Sequence, residues 1–209
     1  MILNLSTGNK KLQANESEKF LIWNIPSVTT CPYRTPECER LCYARKAERL
    51  YPSVLPSRAR NLEESMKPEF SDNMIETISS FTTKKSFKGK KIYFRIHESG
   101  DFYNQKYTDD FIEIAKHFPE ITFLAYTKSL EFFKDRKLPN NFSVRFSLWD
   151  DTEKEQKELN EKVLKFPVFT AFPKAEIEEK SKLFLICGGD CTSCKACYDS
   201  RLDIACAIH

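Results

Sequence analysis

The chain has 209 residues, 41% of them hydrophobic, with 17 phenylalanines and eight cysteines; that length and apolar content suffice for one substantial core and favour a single domain, 1–209. Lys and Arg number 33 against 30 Asp and Glu, a net charge of +3, too balanced for bulk charge to argue for nucleic acid. No apolar run approaches the roughly 20 residues that span a bilayer, and the opening residues lack the basic start and apolar stretch of a secretory leader. A cytoplasmic protein with no membrane partner is therefore expected, its thiols reduced and more apt to hold metal than to pair as disulfides.

In chain order, Phe20-Leu-Ile-Trp-Asn-Ile25 reads as a buried strand stopped by Pro26. Cys31, Cys38 and Cys42 follow at once, and the pattern turns helical from Cys38 to about Arg49, then again near residues 54–66 and 70–82. Lys84, Lys85, Lys88, Lys90 and Lys91 surround Gly89 in a basic run that reads as a solvated turn. Ile92–Ile96 is a strand ending in the polar turn His97-Glu-Ser-Gly-Asp101. Tyr107, Phe111, Ile114, Ala115 and Phe118 recur at helical spacing behind Thr108, the expected N-cap. Strands are expected at Ile121–Tyr126, Phe142–Ser147, Phe166–Phe172 and Leu183–Ile186, with a helix over Ser129 to about Asp135. Another helix, from Glu153 to Leu164, is expected behind the capping-box pattern Thr152-Glu-Lys-Glu155.

Six strands alternating mostly with helices predict an α/β domain with a parallel sheet, open or curled into part of a (β/α)6 barrel, and a cysteine-rich segment at 187–209. Such folds bind ligands where strand-to-helix loops converge, at the carboxyl ends of the strands. That rule gathers Cys31; His97, Glu98, Ser99 and Asp101; Thr127 and Lys128; Ser147, Trp149 and Asp150; Lys174; and Cys187 on one face. Glu98, Asp101 and Lys128 are the candidate catalytic groups, as carboxylates able to bind an amine or move a proton and a lysine able to hold an anion. Arg145 is placed to hold a carboxylate or phosphate, or to pair with a helix carboxylate.

Three cysteines at 31, 38 and 42 are one short of a closed tetrahedral site. They fit a [4Fe-4S] cluster with one open iron, or a zinc completed by His97, His117 or His209. Cys187, Cys191, Cys194 and Cys197 complete four ligands by themselves, for an iron–sulfur cluster or zinc. Cys206, among apolar residues, reads as a packed thiol.

The blocks Leu5–Leu12, Trp23–Pro32 through Cys38–Ala44, His97–Tyr103, Phe123–Ser129 and Phe184–Tyr198 resemble the phage "gene product 88" family, which implies a phage-encoded protein in the host cytoplasm. The three cysteines after the first strand are also similar to those of radical S-adenosylmethionine (SAM) enzymes. That resemblance implies an open cluster at Cys31, Cys38 and Cys42, SAM contacts from Tyr43, His97, Glu98, Ser99, Arg145 and Ser147, and an auxiliary cluster at the last four cysteines. The spacing differs from the usual radical-SAM motif, and no Gly-Gly-Glu turn is present. The expectation is an iron–sulfur enzyme of radical-SAM-like architecture, an oxidoreductase or transferase. Its alternatives are a redox-sensing or electron-transfer protein, and a metal-stabilised module that binds nucleic acid or protein through Arg34, Arg40, Arg45, Lys46, Arg49, Arg58 and Arg60.

Overall fold

The computed structural model describes residues 2–9, 11–199 and 201–208. Seven strands, β1 (Glu18–Trp23), β2 (Lys91–Ile96), β3 (Ile121–Thr127), β4 (Phe142–Ser147), β5 (Val168–Phe172), β6 (Leu185–Ile186) and β7 (Ile204–Ala207), form one sheet in the order β1-β2-β3-β4-β5-β7-β6. Every pairing is parallel, and the sheet curls into a half-barrel. Four helices, α1 (Pro36–Arg40), α2 (Tyr43–Leu50), α3 (Val54–Ser65) and α4 (Phe70–Thr82), fill the crossover from β1 to β2, and α5 (Gln105–His117) joins β2 to β3. Shorter helices α6 (Lys154–Leu159), α7 (Ile177–Lys180) and α8 (Ala196–Asp199) follow.

The strands read as near-continuous apolar runs because both faces are covered. Alternate residues enter two cores. Leu21, Trp23, Ile92, Phe94, Ile96, Phe123 and Ala125 pack in the large core with residues of α4 and α5. Phe20, Ile22, Tyr93 and Leu124 form a smaller inner core with Leu12 and Tyr198. Two arginines, Arg95 on β2 and Arg145 on β4, sit at inward-facing positions of otherwise apolar strands.

The structure corrects the sequence reading at several points. β7 is a seventh strand that carries Cys206 and inserts between β5 and β6. The helix expected from Cys38 to Arg49 is two helices, because Cys42 is extended (φ −66°, ψ 103°) and turns the chain after α1. Asn104 rather than Thr108 caps α5: its side chain accepts from Tyr107 N at 2.8 Å, while buried Thr108 donates back to the Asn104 carbonyl. The capping box at 152–155 does not close. Thr152 Oγ1 instead accepts from Trp149 N at 2.8 Å, so α6 begins at Lys154 and runs into a π-helical turn, Asn160–Leu164. The stretch after Ser129 is a single 3-10 turn, Leu130–Phe133.

Candidate metal centres

The first centre grows from the β1 loop, which the β2 loop holds in place. Asn24 Oδ1 accepts from both Glu98 N (2.7 Å) and Ser99 N (3.0 Å), and Ile25 N donates to the Ser99 carbonyl. Gly100 (φ +86°) lies so close that a Cβ there would stand 2.3 Å from Ile25 Cγ1 and 2.7 Å from Thr30 Oγ1. Behind the loop, Glu48 of α2 accepts from Ser27 N and Oγ and pairs with Arg58 of α3 at 2.8 Å. Burial works against its charge, but those hydrogen bonds and the guanidinium outweigh it and hold the Glu48 carboxyl below its usual range.

Pro36 starts α1, and Thr35 caps it by accepting from Cys38 N at 3.2 Å. Asp151, from the loop after β4, accepts from Glu37 N at 2.8 Å and so pins that helix to the sheet edge. Cys31, Cys38 and Cys42 thereby come within electrostatic reach of one another, Asp101 acts on Cys31 and Cys38, and Lys128 faces the same two. Burial pushes the Cys31 and Cys38 thiols up, and the neighbouring acids and thiols add to the shift. As neutral thiols they would exchange protons for a cation on ligation. Among the described residues, no group of three or more His, Cys, Asp or Glu side chains stands close enough to hold a metal ion as it is. The thiols are gathered rather than closed around a point.

Asp101 and Lys128 sit side by side at this centre. The Asp101 carboxylate accepts from Thr127 Oγ1 (2.6 Å), Phe102 N (2.7 Å) and Lys128 N (2.9 Å), yet burial lifts its pKa to about 6. Lys128 is 3% exposed; its Nζ donates to the Ser147 carbonyl and stands 5.6 Å from the Trp149 ring centroid. Burial lowers its pKa to about 8 against the pull of Cys38 and Asp101.

The other predicted contacts are used differently. His97 (φ 63°) is buried among Phe102, Tyr107 and Phe111, with Nε2 2.8 Å from Tyr107 Oη, and burial drives its pKa to about 3. Its ring belongs to the aromatic core. Ser99 is buried and donates to the Ile25 carbonyl at 2.9 Å, with Glu48 Oε1 a second acceptor at 3.3 Å. Glu98 accepts from the Asn9 amide, and Tyr43, with its side chain largely exposed, donates to the Glu98 carbonyl at 2.7 Å. Lys174 is exposed on a 3-10 turn. His209 lies outside the described residues.

The second centre lies on the inner face of the sheet. Arg145, fully buried, donates to the carbonyls of Cys197 (2.9 Å), Leu202 (2.8 Å) and Ala196 (2.8 Å), and Ser143 Oγ donates to the same Cys197 carbonyl. The group expected to hold a ligand carboxylate or phosphate thus holds the C-terminal segment. Cys191 N donates to the Lys11 carbonyl, and Lys195 pairs with Glu18 at 3.0 Å. Cys187, Cys191, Cys194 and Cys197 line one cavity of about 30 Å³ together with Arg95, Tyr126 and Tyr198. All eight cysteines are free thiols. Cys206 is half-buried beside Cys187, and burial with that neighbour raises its pKa to about 11.

A family model described as gene product 88 matches residues 3–200. The chain belongs to the gene product 88 family. Within that family it is 24% identical over 193 residues to the gene 88 protein of Mycobacterium phage L5, covering 84% of this chain and 80% of that one. It is 28% identical over 124 residues to the gene 88 protein of Mycobacterium phage D29, covering 56% of this chain and 51% of that one. A solved structure of Bacillus subtilis ydhD, named as a sporulation-specific glycosylase, overlaps at 7% identity with a TM-score of 0.33, over 89% of this chain and 80% of that one, which carries no argument. Among the described residues of this gene product 88 chain, no helix is long and apolar enough to cross a membrane.

Asn24, Glu48, Arg95, Asp151 and Tyr126 escaped the sequence reading. One signal was available for Arg95: a charged residue inside the apolar run Ile92–Ile96 must find a buried use. The basic cluster near α1 and α2 is largely neutralised, since Arg34 and Arg45 pair with Glu39, Arg40 with Glu37 and Arg58 with Glu48.

Proposed function

We propose that this gene product 88 protein is an iron–sulfur protein. Cys31, Cys38 and Cys42 would hold a [4Fe-4S] cluster with one position left for a small molecule, and Cys187, Cys191, Cys194 and Cys197 a second metal centre. The observation that carries the reading is the convergence of three cysteines with Asp101 and Lys128 where β1, β2 and β3 end. A cluster bound there supplies one-electron chemistry, and SAM is the ligand that the radical-SAM resemblance suggests for its open position. Lys128 places a cation beside the Cys38 sulfur, which favours its thiolate. Asp101 and Lys128, with pKa values of about 6 and about 8, bracket neutrality and suit proton transfer to or from a bound substrate. The nucleic-acid module is the weaker reading, because four of its arginines already meet carboxylates.

The test is iron, sulfide and zinc analysis of anaerobically purified protein, with EPR after reduction in the presence and absence of SAM. Wild type is expected to contain iron and sulfide and to change its spectrum with SAM, and Cys42→Ala to lose that change while keeping the fold. Zinc with no iron would overturn the proposal; iron with a spectrum blind to SAM would remove SAM and leave an electron-transfer or sensing role.

A further inference from the structure

The four-cysteine cavity contains a group that ligation alone does not explain. Arg95 points from β2 into it. The guanidinium carbon is 3.8 Å from the Tyr126 ring centroid, and Nε donates to the His97 carbonyl at 3.0 Å. Among the described residues, Arg95 makes no ion pair with a carboxylate within 4 Å, and the Glu98 carboxylate and the Tyr43 hydroxyl act on it only from further off. It acts instead on Cys191, Cys197 and Tyr198.

A half-buried guanidinium with no carboxylate at ion-pair distance is costly to hold. Four thiolates without a cation are costlier, and a divalent ion bound by all four still leaves two negative charges. The two demands meet in this cavity. The Tyr126 hydroxyl, lining the same cavity, favours the Cys197 thiolate. Tyr198, 6% exposed and lining the same cavity, has a buried hydroxyl with no partner, which a sulfur or metal-bound group there would satisfy.

We infer that Arg95, backed by Tyr126, is a positioning residue for an anionic metal–tetrathiolate centre at Cys187, Cys191, Cys194 and Cys197. The inference rests on reading those cysteines as metal ligands and assigns the charge that makes the centre tolerable inside the protein. Partners of this outer kind are commonly worth tenfold or more in metal affinity.

Co2+ is the probe, titrated into reduced, metal-free, full-length protein carrying Cys42→Ser to disable the first centre, and followed by thiolate-to-cobalt charge-transfer absorption across pH. Arg95→Met is expected to weaken Co2+ binding about tenfold and to shift its pH profile upward, because the thiols lose the cation that eases their deprotonation; Arg95→Lys is expected to recover most of both. Arg95→Met binding Co2+ as the parent does at every pH would overturn the inference, as would a failure of Arg95→Lys to recover anything. If Arg95→Met does not fold, Tyr126→Phe removes only the hydroxyl that acts on Cys197, and unchanged affinity there is equally fatal. Loss of Co2+ binding in Cys191→Ser but not in Arg95→Met would spare the metal centre and sink only the role of Arg95. Absence of Co2+ binding in the parent would remove both.

Discussion

Gly100 shows how one residue fixes the geometry of the first centre. Its φ of +86° is open to glycine and strained for other residues, and a methyl group there would press into Ile25 and Thr30, the residues that carry the chain toward Cys31. Gly100→Ala is expected to destabilise the fold by about 2 kcal/mol, read as a lower urea midpoint with unchanged slope. An unchanged midpoint would mean that the β2 loop is not held against the β1 loop as described. Val28 has positive φ (66°), unusual for a β-branched residue, so the four residues before Cys31 include a strained position.

At the scale of elements, the C-terminal segment is attached to the inner face of the sheet by directed polar contacts as well as apolar ones. β4 contributes Arg145 and Ser143, the loop before β1 contributes the Lys11 carbonyl, and β1 contributes Glu18. Arg145→Met removes three hydrogen bonds from a charged donor to the segment, each worth about 1.5–3 kcal/mol, while the Cys197 carbonyl keeps the Ser143 hydroxyl. The expected outcome is faster amide exchange confined to residues 187–199, with β1 to β3 keeping their protection. Uniform loss of protection would instead make Arg145 part of a single global core. Cys42, extended between α1 and α2, is the complementary case: a broken helix turns its thiol toward the other two, where a continuous helix would have carried it past them.

Over the whole molecule, two carboxylates give stability opposite pH dependences. Glu48, held below its usual range, contributes stability that is present above about pH 4.5 and lost as pH falls. Asp101, raised from 3.8 to about 6, contributes stability that is complete below its unfolded pKa and lost as pH rises from about 4 to about 6. In metal-free protein the difference in unfolding free energy between wild type and Asp101→Asn is therefore expected to change by about 2 kcal/mol between pH 4 and pH 6.5. Urea titrations at several pH values measure it. A difference that stays flat through that window would show that the donors around Asp101 keep it ionised at its ordinary pKa.

The sequence by itself determined the parallel α/β class, six of the seven strands to within a few residues, α3, α4 and the α5 span, and the two cysteine groups, because apolar runs, helical periodicity and ligand spacing are local signals. It also placed Asp101 and Lys128 on the cysteine face, since strand ends in a parallel sheet share one edge. Only the tertiary structure decided the use of side chains whose partners are distant in the chain. His97 and Ser99 look like site residues by position, but a left-handed turn sends one into the aromatic core and the Ile25 carbonyl takes the other. Arg145 and Arg95 differ in sequence context by little, yet one meets three carbonyls of the C-terminal segment and the other a cavity of thiols. β7 escaped notice for the same reason: four residues carry too little periodicity to declare a strand, and its place between β5 and β6 exists only once the half-barrel has curled.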